Sequence, residues 1–215
     1  MKPTKEYNGR SRIRMFNMCC ESYMNACKEN RYELAVVDPP YGKGMSGGNV
    51  GYKGFNDLER KEWDNEIPKK EYFNGLFRVS NEQVIFGGNY FPLPQSKGFY
   101  VWDKGEGFRN RTYAEAELAW ASFKNAKVFK YDPLCNGDYH GKIHPTQKPV
   151  RVYKDILTRY AKEGDTILDT HGGSFSIAIA CWDLGFDLDI CELDTDYFND
   201  AVKRFETHIA QTQLF

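Results

Sequence analysis

The chain has 215 residues, of which 41% are hydrophobic and 15% aromatic, a composition sufficient for the core of one domain spanning residues 1–215. No apolar run approaches the ~18 residues of a membrane span, and the first residues lack the apolar segment of a signal peptide. The six cysteines form no Cys-x-x-Cys pair, which favours free thiols in a reducing compartment over a disulfide framework. We therefore expect a cytoplasmic protein.

Charge is unevenly distributed along the chain, although the net charge is only −1. Residues 97–151 carry ten Lys or Arg against six Asp or Glu, whereas residues 152–215 carry five against twelve. A basic middle is typical of a segment that faces phosphates. Ordinary scatter of surface charge explains the imbalance equally well.

The first half of the chain alternates short apolar runs with polar turns. Residues 1–11 are polar and predict a loosely held segment. The hydrophobic pattern then predicts strands at 12–16, 34–37, 83–86 and 99–102 and helices at 20–30 and 71–79. Six glycines between residues 42 and 54 predict a Gly-rich loop at 42–56, either a substrate lid or a surface linker.

The strand at 34–37 ends at the corner Asp38-Pro39-Pro40-Tyr41. Pro39 and Pro40 have no N–H and fix the backbone, so the corner offers carbonyl and carboxylate acceptors beside an aromatic ring. Such a corner suits a planar ligand with an NH2 group, whose two hydrogens are accepted while Tyr41 stacks on its face. A turn that merely ends a strand is the alternative.

The second half of the chain begins with strands and ends with an α/β pattern. Strands are predicted at 117–123 and 126–131, with a small insertion or recognition region around 103–145. A helix begins after Pro149 and closes at Gly164. The last third predicts a strand at 166–168, a turn at 169–174, a helix at 175–184, a strand at 186–191 and a final helix capped by Thr195.

This last pattern is half of a nucleotide-binding α/β sheet, with Glu192 at the place that binds ribose hydroxyls. The turn lacks the Gly-x-Gly-x-x-Gly pattern, and the carboxylate of Asp169 would oppose a diphosphate. A ligand with an ammonium group fits better. S-adenosylmethionine, an adenosine with an amino-acid tail, meets both demands.

Several motifs in a fixed order give the chain a resemblance to a known enzyme family. It resembles the amino DNA methyltransferases with an Asp-Pro-Pro-Tyr motif, in the beta subgroup, whose catalytic motif precedes the cofactor motif. It is most similar to small phage- or prophage-type adenine methyltransferases. The motifs that carry the resemblance are Asp38–Tyr41, Phe86–Phe91, Trp102–Lys104, Glu117–Trp120, His144–Pro149 and the turn at 169–176.

The resemblance implies a Rossmann-like α/β methyltransferase fold with a mostly parallel, seven-stranded sheet. The chain would be circularly permuted, so that the strand at 12–16 continues from the C-terminal helix. It also implies methyl transfer from S-adenosylmethionine to the N6 of an adenine flipped out of double-stranded DNA, without a metal. The catalytic corner would be Asp38, Pro39, Pro40 and Tyr41. The implied cofactor residues are Cys19, Thr146, Gln147, Lys148, Asp169, Thr170, His171, Gly173, Ser174 and Glu192.

Two departures from the family pattern keep alternatives open. Phe175 stands where the family has a glycine, and Cys19 stands where it often has an acid. The alternatives are a cytosine-N4 or RNA amine methyltransferase, and a catalytically weakened nucleic-acid-binding module of the same fold. Adenine is preferred because the resembled motif begins with Asp, whereas the related cytosine-N4 enzymes usually have Ser.

Weaker signals concern nucleic acid, metal and assembly. Candidates for phosphate contacts are Lys104, Arg109, Arg111 and Lys142, although a solvated face explains each of them equally well. Cys135, His140 and His144 lack a fourth ligand and fit no common zinc site, so no metal is expected. A homodimer is expected by analogy with the family.

Overall fold

A computed structural model of the protein describes residues 1–44, 61 and 63–212. From residue 45 onward, the Gly-rich loop predicted at 42–56 lies outside these described residues. Within them, no helix combines the length and the apolar character needed to cross a membrane.

The described part of the chain contains nine strands, five α-helices and two short 3-10 helices at Gly88–Tyr90 and Glu106–Phe108. Strands β1 to β9 are Lys5–Asn8, Arg12–Asn17, Tyr32–Val37, Ser80–Phe86, Gly98–Asp103, Ala116–Ala121, Lys127–Lys130, Thr166–Asp169 and Asp187–Glu192. Helices α1 to α5 are Cys20–Asn25, Lys70–Val79, Val150–Tyr160, Ser176–Leu184 and Thr195–Thr212. The elements predicted from hydrophobic pattern are thereby confirmed, although α1 is shorter than the predicted 20–30.

All nine strands described form one sheet, in the order β1-β2-β9-β8-β3-β4-β6-β5-β7. The centre is parallel: β2 pairs with β9, β9 with β8, β8 with β3 and β3 with β4. Strand β6 runs antiparallel to both β4 and β5, β1 runs antiparallel to β2, and β7 pairs parallel to β5. The sheet is therefore mixed.

The expectation of a seven-stranded, mostly parallel sheet was wrong in strand number. The segment 1–11 was expected to be loosely held, but Lys5–Asn8 form β1 at one edge, and Lys127–Lys130 form β7 at the other. Strand β7 agrees with the strand predicted at 126–131, whereas β1 was not predicted, and it is largely polar and exposed. An edge strand needs only backbone hydrogen bonds on one side, so the side chains of β1 give no hydrophobic signal.

Helices cover both faces of the sheet. One core lies under α3, α4 and α5 and includes Ile156, Ile177 and Phe205. The other lies under α1 and α2 and includes Tyr23 and Leu76. Fully burying a side chain of this size contributes roughly 1.5–3 kcal/mol. These two layers fix the central strands and therefore the positions of the strand ends.

The central strands β3, β4, β8 and β9 are mutually parallel, so their carboxyl ends meet at one edge of the sheet. Asp38 follows β3, Gly87 follows β4, and the turn after β8 begins at Thr170, beside Glu192 at the end of β9. In open α/β sheets, ligands bind in the crevice outside this edge. The sequence motifs therefore converge on one place.

Candidate active site

The corner after β3 is held by hydrogen bonds from both sides. The Tyr41 hydroxyl donates to Asp38 Oδ1 at 2.6 Å, and Lys148 Nζ donates to Asp38 Oδ2. The backbone N–H groups of Tyr41 and Gly42 donate to Asp64 Oδ1 at 2.8 and 3.0 Å. Because the two prolines offer no N–H, the buried Asp64 anchors the amides that follow them. Sequence reasoning missed Asp64.

The Tyr41 ring lies against the end of β4. Its centroid is 5.3 Å from that of Tyr90 and 6.1 Å from that of Phe91. Gly87 has a φ of +69°, and a Cβ there would stand 2.6 Å from Cδ1 of Tyr41. Glycine is therefore required at residue 87 both for the left-handed backbone and for the approach of the ring.

Two cavities meet at the corner. The first, of about 410 Å³, is lined by Tyr41, Asn89, Tyr90, Lys104 and Glu117 among others. The second, of about 580 Å³, lies over the turn after β8. Both have the size of small-molecule sites. Their shared walls are Asp38, Pro40, Trp63, Thr146, Gln147 and Lys148, so the carboxylate of Asp38 lies at the junction.

The second cavity gathers most of the residues expected to bind the cofactor. Those on its wall are Cys19, Thr146, Gln147, Lys148, Thr170, His171, Gly173, Ser174 and Glu192. Asp169 is instead buried behind the turn, where Oδ1 accepts the His171 N–H at 2.9 Å. Sequence reasoning missed Met18, Trp63, Asp194 and Tyr197, which also line this cavity.

The carboxylate of Glu192 holds the turn after β8, and the carboxylate of Asp194 caps helix α5. Glu192 Oε2 accepts the Gly173 N–H, and Glu192 Oε1 accepts the Asp194 N–H, both at 2.8 Å. Burial raises the pKa of Glu192, and burial also raises the pKa of Asp169 to about 8. Asp194 Oδ1 accepts the Asp196 and Tyr197 N–H groups at 3.0 Å. Asp194 therefore caps α5 in place of the predicted Thr195.

His171 contributes to the same turn as a neutral side chain. Its Nδ1 lies 2.9 Å from Thr170 Oγ1, which is in turn 2.7 Å from the Tyr72 hydroxyl of α2. Burial lowers the pKa of His171 to about 4. A chain of hydrogen bonds thus ties the turn to α2.

Phe175 does not line the second cavity. It has a φ of +56° and lies at the N-terminus of α4. Its side chain is fully buried in the core, with its ring centroid 5.7 Å from that of Phe198. A Cβ at Gly172 would stand 2.7 Å from Cδ1 of Phe175. The absent side chain at residue 172 makes room for the phenylalanine.

Charged side chains form a line from the corner into the first cavity. Lys148 Nζ also lies 3.1 Å from Glu117 Oε2, and Lys104 Nζ lies 2.7 Å from Glu117 Oε1. Burial opposes the charged form of Glu117, but Lys148 and Lys104 outweigh it and lower the pKa of Glu117 to about 2. Sequence reasoning included Glu117 only within a family motif and gave it no role.

Of the four candidates for phosphate contacts, Lys104 and Lys142 line the first cavity. Arg109 contacts Glu115 at 2.6 Å and Asp103 at 3.0 Å. Lys142 Nζ lies 3.1 Å from the centre of the Tyr139 ring, and burial lowers its pKa to about 7. Lys104 is buried against Glu117, and Arg111 is exposed. A role in DNA binding stays a prediction for all four.

His144 lies in the wall of the second cavity, where it packs against two aromatic rings. Its ring centroid is 4.4 Å from that of Tyr197 and 5.1 Å from that of Trp63. Burial lowers the pKa of His144 to about 3. Among the described residues, no group of three or more His, Cys, Asp or Glu side chains is placed to hold a metal ion.

The second cavity suits the cofactor expected from the sequence. Met18, Trp63 and Tyr197 supply apolar and aromatic wall, and Glu192 and Asp194 supply carboxylates. Among the described residues on this wall, Lys148 is the one lysine or arginine, so a diphosphate would meet mostly negative charge. An adenosine with an ammonium-bearing tail fits this set. The sheet has an α/β arrangement with two cavities at the carboxyl ends of its parallel strands, the edge at which such sheets bind ligands.

Comparisons with known proteins find similarity to DNA methyltransferases. Residues 99–203 match the family model described as DNA methylase, N6_N4_Mtase. The chain is 22% identical over 251 residues to the type II methyltransferase M2.DpnII of Streptococcus pneumoniae, covering 94% of this chain and 93% of that protein. The chain is thus similar to N6/N4 DNA methyltransferases, over its residues 99–203 to the family model and over most of its length to M2.DpnII.

Two solved structures share the fold. The M1.HpyAVI–SAM complex has a TM-score of 0.60 and 19% identity, covering 89% of this chain and 98% of that one. The PvuII DNA methyltransferase, described as cytosine-N4-specific, also has a TM-score of 0.60, with 12% identity, covering 97% of this chain and 92% of that one.

Proposed function

We propose that this protein transfers a methyl group from S-adenosylmethionine to the exocyclic N6 of an adenine flipped out of double-stranded DNA. The observation that carries the proposal is the position of Asp38 and Pro40 in the walls of both cavities. A carboxylate at such a junction faces a base on one side and a cofactor on the other. The DNA methylase match at residues 99–203 supports DNA as the substrate.

We assign cofactor binding to the second cavity. Glu192, whose two oxygens accept the Gly173 and Asp194 N–H groups, would bind the ribose hydroxyls. The aromatic wall formed by Trp63 and Tyr197 suits the adenine ring. When bound, S-adenosylmethionine supplies a methyl group on a positively charged sulfur.

The corner residues activate the target amine. The lone pair of an aromatic NH2 group is delocalised into the ring, so the nitrogen is a poor nucleophile. Asp38 and the Pro39 carbonyl accept its two hydrogens, which favours a pyramidal nitrogen with a directed lone pair. The excess proton leaves the nitrogen after transfer. The protein's contribution is therefore orientation and fixed electrostatics.

The first cavity would hold the extruded base. Extruding a base costs a few kcal/mol in unstacking and unpairing. Tyr41 and Tyr90, whose rings line this cavity, supply stacking surfaces. We also propose a single domain with a short or relaxed target sequence, since the strands β4, β5, β6 and β7 use much of the chain between the catalytic and cofactor motifs.

The experiment that tests the proposal is transfer of labelled methyl to unmethylated genomic DNA, followed by digestion to nucleosides. The proposal predicts N6-methyladenine. A cytosine-N4 activity is the second candidate, because the fold is shared with the cytosine-N4-specific PvuII enzyme. N4-methylcytosine as the product would establish that candidate instead. Label in RNA but not in DNA would contradict both.

A further inference from the structure

Lys148 bridges two carboxylates that come from distant parts of the chain. Its Nζ donates to Asp38 Oδ2 and lies 3.1 Å from Glu117 Oε2. The Lys148 side chain is only 4% exposed, and Nζ lies 4.5 Å from the centre of the Phe86 ring. An ammonium group that is buried away from water in this way requires a nearby negative charge to compensate it.

Glu117 directs its charge toward this ammonium group. Its Oε1 is held by Lys104 at 2.7 Å. Its buried Oε2 forms an ion pair with Lys148 Nζ at 3.1 Å. Glu117 thus balances Lys148 from the side opposite to Asp38.

We propose that Lys148 is a positioning residue that keeps Asp38 ionised and fixed in orientation, so that its carboxylate can accept a hydrogen from the target amine. This assignment rests on the proposed function, in which Asp38 contacts the substrate. It differs from the role expected for Lys148 from the sequence, which was to approach the cofactor.

The physical need for Lys148 follows from what surrounds Asp38. Burial raises the pKa of Asp38, and Lys148 opposes the rise. Among the described residues, the titratable groups Tyr41, Glu117, Tyr153 and Asp169 also interact with Asp38. None of these four is a cation.

Without Lys148, burial would raise the pKa of Asp38 further and favour its protonated form. A protonated carboxyl group carries a donor in place of one acceptor. It would therefore orient the amine poorly.

The first test is the pH profile of kcat for methyl transfer, measured at saturating cofactor and DNA. Lys148→Met should shift the acidic limb upward by about 1–3 pH units, the usual effect of an opposite charge at this distance. Lys148→Arg, which keeps the cation, should restore most of the parent profile. A Lys148→Met profile that keeps the parent's acidic limb, at whatever lower rate, would overturn the assignment.

The second test does not depend on activity. Tm is measured at pH 8 for Lys148→Met, Asp38→Asn and the double variant. If Lys148 compensates the charge of Asp38, the double variant should regain much of the Tm lost by Lys148→Met, whereas additive losses would overturn the proposal. Should Lys148→Met fail to fold, Lys148→Gln replaces it in both tests. A parent inactive on all nucleic acids would refute the proposed function, and this cycle would still decide whether Lys148 holds Asp38 ionised.

Discussion

Replacing Gly87 with Ala should damage the catalytic corner through the ring of Tyr41. A Cβ at residue 87 would stand 2.6 Å from Cδ1 of Tyr41, on a backbone with a φ of +69°. The left-handed conformation costs about 1–2 kcal/mol for a residue with a Cβ, and overpacking typically costs about 1–3 kcal/mol more. The free energy of unfolding should therefore fall by about 2–5 kcal/mol.

Gly164→Ala is the matched control. Gly164 has a φ of +88°, and a Cβ there would meet no atom within 4 Å. This variant carries only the conformational cost, about 1–2 kcal/mol. The difference between the two variants therefore isolates the conflict with Tyr41.

Urea unfolding and the kcat of methyl transfer are measured for both variants and the parent. If the displaced ring raises the reaction barrier by about 1.4 kcal/mol, the kcat of Gly87→Ala falls tenfold, while Gly164→Ala keeps the parent kcat. Equal losses of unfolding free energy in the two variants, with parent kcat in both, would refute the role given to Gly87.

Two further predictions concern the core. Phe175→Ala should lower the free energy of unfolding by about 3–5 kcal/mol. It should leave the calorimetric Kd for S-adenosylmethionine unchanged, because the Phe175 ring packs on Phe198 and does not line the second cavity. A tenfold weaker Kd would contradict this placement. Asp189 is buried, which opposes its charge, but hydrogen bonds from Arg14, Tyr23 and Tyr32 outweigh burial and lower its pKa. Its stabilisation is thus present above the unfolded pKa of about 3.9 and lost as pH falls through the lower folded pKa. Asp189→Asn should cost about 3 kcal/mol at pH 7 and flatten the acid dependence of urea unfolding, and an unchanged acid dependence would count against this network.

The sequence predicted the strand ends because they follow short apolar runs. The runs before Asp38 and before the turn at 169–174 are fully buried at their centres, and the parallel pairing of β3, β8 and β9 brings their ends together. Local pattern was sufficient there, since burial on both faces leaves a continuous hydrophobic signal.

The contacts that sequence reasoning missed join residues far apart in the chain. Lys148 lies 110 positions from Asp38, which it contacts, and Asp64 lies 23 positions from Tyr41, whose N–H it accepts. Neither separation matches the repeat of a helix or a strand, so no periodic pattern in the sequence reveals these contacts. The orientation of Phe175 depends equally on a neighbour's lack of a side chain, at Gly172. Such contacts become visible only when the fold is known.

The most direct measurement of the central claim is single-turnover methyl transfer to unmethylated double-stranded DNA by the parent, Asp38→Ala and Asp200→Ala. Asp200 is exposed on α5 and pairs with Lys203 at 3.4 Å. The Asp200→Ala substitution therefore makes the same chemical change as Asp38→Ala, but away from both cavities. The account predicts N6-methyladenine from the parent and from Asp200→Ala, and a rate for Asp38→Ala lower by at least about 100-fold, the size expected for removing one oriented electrostatic group. Parent-like transfer by a folded Asp38→Ala variant would contradict the account.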